Sequence, residues 1–259
     1  MITFAPFYKD LSSSSEVMSD GLKERVDHFD YLNAIRRLRD TFYYYNTKDY
    51  KFVMQTDEFT QAGDIDVFRS DLSDVPLMGA IVKSNTNFVK MNEGKLILVG
   101  ADHLICGNVA RFFDDDFDMC FFTHPTKRYV RNSVVLVNSN AKNKDGIDRF
   151  FARREELYHA ASDEEKLWGA DMYSINRALE ERGLITKHYE NKARMFYDYD
   201  GLKVKIMDYD GKKFIKPLPS DGNLGQIRDI IVIDVKGGTY RKQFFMKAYE
   251  ELMKRKERR

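Results

Sequence analysis

The segment Lys95-Leu96-Ile97-Leu98-Val99-Gly100-Ala101-Asp102-His103-Leu104-Ile105-Cys106-Gly107-Asn108 constrains the fold of this chain more than any other. Side chains on a strand alternate between the two faces of a sheet, so the unbroken apolar run Leu96–Val99 belongs to a strand covered on both faces. Helices supply that cover in α/β sheets, and ligands collect in the crevice where the parallel strands end. Asp102 stands just past such an end, where a carboxylate can hold a divalent cation beside a phosphate. A turn-capping aspartate is the other role for this position. His103, as its neighbour along an extended chain, is expected to point to the opposite face.

Other segments follow the same α/β pattern. Ile2–Tyr8 predicts a first strand, Ser12–Ser15 a loop, and Leu22, Val26, Phe29, Leu32, Ile35 and Leu38 a helix from about Asp20 to Tyr45. Lys51–Gln55 predicts a second strand ending at Thr56-Asp57. Asp71–Ile81 has no clear pattern, and Thr86–Met91 suits a short helix. Met119–Thr123 and Ser133–Asn138 read as buried strands. Asp145–Tyr158 and Ser162–Arg182 read as helices, the second opened by the N-terminal signal Ser162-Asp163-Glu164-Glu165. Two Asp-Gly pairs beside alternating residues predict hairpin strands at Tyr197–Val204 and Ile206–Phe214. Ile230–Ile233 is the last buried strand, and a basic helix from about Arg241 to Arg259 closes the chain. No linker or repeat interrupts residues 1–259, so one domain is expected.

With 42 basic against 41 acidic side chains, no global field draws the protein to nucleic acid or membrane. Cys106 and Cys120 lie in apolar surroundings, as thiols of a reducing compartment do, and the cytoplasm is the expected location. No apolar run approaches the roughly 18 residues of a membrane span, and the first residues lack the basic start of a leader. Phosphate-binding P-loops, nucleophile elbows and zinc spacings are missing from the sequence. Asp114-Asp115-Asp116-Phe117-Asp118 reads as a solvated loop. Arg36, Arg37 and Arg39, with Lys254–Arg259, read as solvated helix faces that can also grip a nucleic-acid backbone.

Four more segments complete a pattern: Phe4-Ala5-Pro6-Phe7-Tyr8, Arg131-Asn132-Ser133, Trp168-Gly169-Ala170-Asp171-Met172, and Asp234-Val235-Lys236-Gly237-Gly238-Thr239-Tyr240-Arg241-Lys242. In this order with the Asp102 segment they resemble the motifs of GT-A-fold glycosyltransferases, in particular the glycogenin-like retaining enzymes. The resemblance implies a Rossmann-like α/β fold, a mixed, mostly parallel sheet flanked by helices, with a small C-terminal hairpin element. Residues up to about 125 would bind the nucleotide, and about 126–259 the sugar and acceptor.

The resemblance also implies site residues. Asp102 would ligate Mn²⁺ or Mg²⁺. Gly100 takes the place of the family's first aspartate. Asp234 takes the place of a metal-binding histidine, and so returns a second carboxylate to the site. Gly237, Arg241 and Lys242 would hold the diphosphate, Asn132 a sugar hydroxyl, and Asp171 would face the anomeric centre. Tyr8 would stack on the nucleobase and Asp57 accept its hydrogen bonds. The donor would be a nucleotide-sugar, a UDP-sugar first, and the acceptor a hydroxyl, for instance a hydroxymethylated DNA base of a phage. Two other readings stay open on the same scaffold, a non-catalytic binding protein and a sugar nucleotidyltransferase.

Overall fold

The computed structural model describes residues 1–10, 30–73, 75–124, 127–166, 169–208, 214–225, 230–235 and 243–256. Its largest element is a nine-stranded sheet in the order β4-β3-β1-β5-β8-β7-β10-β9, with β2 also pairing β1. The strands are β1 Ile2–Phe7, β2 Lys51–Phe52, β3 Met54–Thr56, β4 Val67–Arg69, β5 Gly94–Gly100, β7 Met119–Thr123, β8 Val130–Ser139, β9 Phe196–Tyr199 and β10 Leu202–Asp208. A second sheet, β11-β12-β6, joins β6 His103–Ile105 to β11 Ile215–Pro217 and β12 Val232–Asp234.

The apolar run of β5 does what its lack of alternation predicts. Ile97 and Val99 pack on one face with Ile35, Leu38 and Phe42 of helix α1, Tyr31–Tyr45. Leu96 and Leu98 pack on the other with Phe88 of α2, Leu77–Met91, Phe150 and Phe151 of α3, Lys144–His159, and Ile175 of α4, Ala170–Glu180. Leu184 and Ile185 of α5, Leu184–Glu190, extend that layer. The last helix, α6 Phe245–Lys256, lays Phe245, Ala248 and Leu252 against the small sheet.

Several boundaries move. Helix α1 opens at Tyr31, where the Asp30 carboxylate accepts from Asn33 N–H at 2.8 Å; residues 11–29, including the predicted loop and first helical turns, lie outside the described residues. The short helix predicted at Thr86–Met91 is the last part of α2, which begins nine residues earlier, at Leu77. The helix predicted over Ser162–Arg182 is shortened to α4. Ser162 and Glu165 do form the reciprocal cap, Ser162 N–H to Glu165 Oε2 at 3.0 Å and Glu165 N–H to Ser162 Oγ at 3.3 Å. Gly169 then takes φ 93°, a left-handed conformation that no α-helix continues through, and α4 starts after it.

The first Asp-Gly pair turns the hairpin of β9 and β10, and this hairpin is the edge of the main sheet, because β10 also pairs in parallel with β7. Ile206–Asp208 finish β10 rather than opening a new strand, and residues 209–213 are outside the described set. Strand β7 is hydrogen-bonded to β8, so the sheet is continuous across residue 125.

Candidate metal and sugar site

All strands in parallel register with β1, and β7 and β10 through the antiparallel β8, run in one direction. Phe7, Thr56, Arg69, Gly100, Thr123 and Asp208 therefore end at one edge, where β8 begins at Val130. This is the edge at which open α/β sheets bind ligands.

At Ala101-Asp102 the chain bends out of the main sheet, and His103 opens β6 in the small one. Strand β12 returns antiparallel, pairing Asp234 with His103, and Val235 N–H donates to the Asp102 carbonyl at 3.0 Å. Asp102, His103 and Asp234 are thereby brought together, with one potential ligand atom from each within 4.8 Å of the others. All three are buried. His103 is a correction to the sequence reading. The rule of opposite faces holds within one strand, and Asp102 lies in the bend between β5 and β6, where it does not apply.

The histidine's bonding defines what the cluster can hold. Nδ1 lies 2.9 Å from the Gly100 carbonyl, which only accepts, so Nδ1 carries the proton. Nε2 is buried without a hydrogen-bond partner, 3.7 Å from Asp234 Oδ1. With Nε2 deprotonated, the nitrogen and the carboxylate oxygens are all donors of electron pairs, and a cation between them would satisfy all three groups. Two carboxylates and an imidazole are oxygen and nitrogen donors suited to Mn²⁺, with imidazole a weaker match for Mg²⁺. The residues present thus fit a divalent ion.

Gly100 has a steric reason to lack a side chain. A Cβ there would sit 3.0 Å from Asp102 Oδ1 and 3.2 Å from His103 Cε1. An aspartate at position 100 and the imidazole of His103 compete for one space, and this chain fills it with the imidazole.

The second pair expected to act together does meet. Asn132 Nδ2 donates to Asp171 Oδ2 at 2.5 Å. Asp171 is buried in the first turn of α4, where the helix dipole favours a negative charge. Beneath it lies Arg154 of α3, fully buried, with Nη2 donating to the Asp171 carbonyl at 3.3 Å and Nε to Ser174 Oγ at 3.4 Å. Burial pulls the guanidinium down to about 10, against the nearby Asp171 and Glu155 carboxylates, so it stays charged at neutral pH. Arg154 was not singled out from the sequence, and His103 was set on the opposite face. A basic residue every few positions along α3 gives no sign of which one points inward.

Tyr8 follows β1, its N–H donating to the Gln55 carbonyl at 3.0 Å. Burial, then the carboxylates of Asp10, Asp30 and Asp57, push its phenol up to about 12. Asp57 uses Oδ1 to accept from Thr60 N–H at 2.8 Å, which fixes the loop after β3. Gly237, Arg241 and Lys242, and Trp168 with them, lie outside the described residues.

No protein-family model matches the sequence, and no curated protein matches it either. Solved structures do. One is a glycosyltransferase involved in the glycosylation of the major capsid of PBCV-1, 9% identical, with a TM-score of 0.50 over 95% of this chain and 98% of that one. Another is the bifunctional glycosyltransferase WbbM, 8% identical, with a TM-score of 0.59 over 98% of this chain. This chain spans 51% of the length of WbbM. The fold is the GT-A-like, Rossmann-related α/β fold of these enzymes.

Proposed function

We propose that this protein is a metal-dependent glycosyltransferase that moves a sugar from a nucleotide-sugar, a UDP-sugar first, to a hydroxyl acceptor with retention at the anomeric carbon. The observation that carries this reading is the buried Asp102, His103 and Asp234 cluster at the strand ends, with its unpartnered imidazole nitrogen. These residues would hold Mn²⁺, which as a Lewis acid offsets the charge of the departing diphosphate. Gly237, Arg241 and Lys242 would add positive charge and backbone donors to the same diphosphate.

The chain's own groups divide the remaining work. Asn132 addresses a sugar hydroxyl, and Asp171 stabilises positive charge as it develops at the anomeric carbon. Arg154, through the Asp171 carbonyl, keeps that carboxylate in place. Tyr8 stacks on the base, and the Asp57 oxygen not used for Thr60 accepts from base or ribose. Residues to about 125 form the nucleotide half and 126–259 the sugar half of one domain. Cys106 and Cys120 are free thiols, in keeping with the cytoplasm. No helix among the described residues is long and apolar enough to cross a membrane.

A hydroxymethylated DNA base is one acceptor of this class. Three of the basic residues that would hold the duplex are paired with carboxylates, Arg37 with Asp40, Arg39 with Asp64 and Arg255 with Glu251. Failure to bind duplex DNA at low salt would remove that acceptor.

The test of the main reading is a thermal-shift screen of UDP-glucose, UDP-galactose, UDP-N-acetylglucosamine and GDP-mannose with and without Mn²⁺, followed by assay of nucleotide release. One donor is expected to stabilise the protein only when Mn²⁺ is present, and to be hydrolysed slowly. No shift and no release with any donor would overturn the proposal. Binding without release favours the binding protein, and pyrophosphate release from a nucleoside triphosphate and a sugar phosphate favours the nucleotidyltransferase.

A further inference from the structure

A second histidine–aspartate pair lies on the same sheet edge, three strands from the first. Asp208 ends β10, next to Thr123 at the end of β7, which in turn pairs with Val130 of β8. The Thr123 hydroxyl donates to Asp208 Oδ1 at 3.1 Å, and Lys192 Nζ stands 3.9 Å from Oδ2. His188, on α5, is 2% exposed and faces the same carboxylate.

The imidazole's protonation follows from its neighbours. The Tyr197 hydroxyl donates to the Arg194 carbonyl at 2.7 Å, so its oxygen is free to accept from His188 Nδ1 at 3.1 Å. Nδ1 is therefore the protonated nitrogen, and Nε2 presents a lone pair. That Nε2 is buried without a hydrogen-bond partner, 3.6 Å from Asp208 Oδ1. Burial disfavours the charged imidazolium and outweighs the opposing pull of the Asp208 carboxylate and the Arg194 carbonyl, which keeps Nε2 an acceptor. Nε2, with no donor of its own, and Asp208 Oδ1, which among the described residues accepts from Thr123 alone, thus converge on one place, and the Asp208 side chain keeps 31% of its surface open. Nε2 is a buried acceptor that a donor on a ligand at this edge can satisfy.

Position selects the ligand. Strands lie about 4.8 Å apart, so Asp208, two strands from β8, is about 10 Å along the edge from the strand that carries Asn132. Asn132 and Asp171 mark the donor sugar in the function proposed above, on which this inference rests. The next group along the edge, away from the metal cluster, is the one that receives that sugar. We infer that Asp208 and His188 form the acceptor subsite, and that they bind a carbohydrate acceptor through two neighbouring hydroxyls, one donating to the Asp208 carboxylate and one to His188 Nε2. A lone hydroxyl, as on a hydroxymethylated base or a serine, satisfies only one of the two acceptors.

The experiment uses the full chain with Mn²⁺ and the nucleotide-sugar selected by the thermal-shift screen. Methyl α-glucoside, methyl α-galactoside and methyl α-mannoside serve as acceptor probes with neighbouring hydroxyls, and ethanol as the single-hydroxyl probe. Saturable transfer is expected to at least one glycoside and not to ethanol. Asp208→Asn and His188→Gln are each expected to raise the KM for that glycoside tenfold or more, while the thermal shift given by donor and Mn²⁺ stays at its wild-type value. Transfer to ethanol as good as to a glycoside overturns the inference, as does no transfer to any glycoside from a protein that hydrolyses the donor. An unchanged acceptor KM, or a donor shift lost together with transfer, also overturns it. A wild-type protein that neither binds nor hydrolyses any donor instead ends the glycosyltransferase reading itself. If His188→Gln fails to fold, the partly exposed Asp208→Asn decides alone.

Discussion

Two acidic regions of this protein look alike as sequence and differ in what surrounds their carboxylates. In the run Asp114–Asp118, Asp115 pairs with Lys205, Asp116 with Lys203 at 3.0 Å, and Asp118 accepts from the Asn143 amide and from Lys203 N–H. At the strand ends, Asp234 and Asp208 each face a buried imidazole nitrogen that has no hydrogen-bond partner, at 3.7 and 3.6 Å. The dense run is satisfied from within and ties β10 to the loop before β7. The sparse pairs each leave a buried nitrogen without a partner, and on that difference the proposed metal and acceptor sites rest.

The largest expected effect breaks this comparison at its strongest point. Asp102→Asn removes a charge from the metal cluster while keeping its size, and Mn²⁺-dependent nucleotide release should fall by about a hundredfold or more. Asp116→Asn, half of an exposed pair, should leave release unchanged and stability within about 0.5 kcal/mol. Equal losses in both variants would mean that the run, not the strand end, serves the ion.

Next in size is the brace. Lys205 is buried, with its ammonium 5.8–5.9 Å from the ring centres of Phe117, Phe196 and Phe214. Lys205→Ala deletes a stem that fills this aromatic pocket and should cost about 2–3 kcal/mol in urea denaturation. Lys205→Met keeps the volume, and the half-exposed Asp115 can return to water, so its cost should stay near or below about 1 kcal/mol. A methionine variant as unstable as the alanine one would assign the loss to charge and not to packing.

What could be read in advance follows from the same physics. The unbroken apolar run of β5 announced a strand buried on both faces, and Asp102 at its end announced the ligand edge. Asp234 was found only through the motif order, since nothing local distinguishes it from any strand-end aspartate. His103 was set on the opposite face because alternation assumes one continuous strand, whereas the chain bends at Ala101-Asp102 into a second sheet. Helix α4 was overextended because the Ser162 cap is real but stops at the left-handed Gly169. Arg154 and His188 were invisible for another reason: their burial depends on which helix face meets the sheet, and a single polar residue does not change a helical period.

Gly100 sharpens the comparison on the metal side. In Gly100→Ala the new Cβ meets Asp102 Oδ1 and His103 Cε1 at 3.0 and 3.2 Å, closer than ordinary contact, so both side chains must shift by a few tenths of an ångström. A ligand set displaced this far should bind Mn²⁺ about tenfold more weakly, equivalent to about 1.4 kcal/mol, with a small stability loss in its absence. Isothermal titration with Mn²⁺ measures it. Unchanged affinity would show that the glycine answers a need of the backbone rather than of the site.

The smallest effect concerns the second pair. Burial lowers the His188 pKa below its ordinary 6.5, so between the folded and unfolded values the unfolded chain binds more protons than the native one. Linkage then makes the contribution of His188 to stability complete above about pH 6.5 and progressively lost as pH falls below it. Denaturation midpoints of wild type and His188→Gln, compared at pH 7.5 and 5.5, isolate this group, because the other carboxylates titrate in both proteins. The wild type should lose more stability than the variant over that interval. An equal loss would mean that His188 is protonated as easily in the fold as in water, and that the carboxylate of Asp208 has drawn it into an ion pair instead of leaving its nitrogen open.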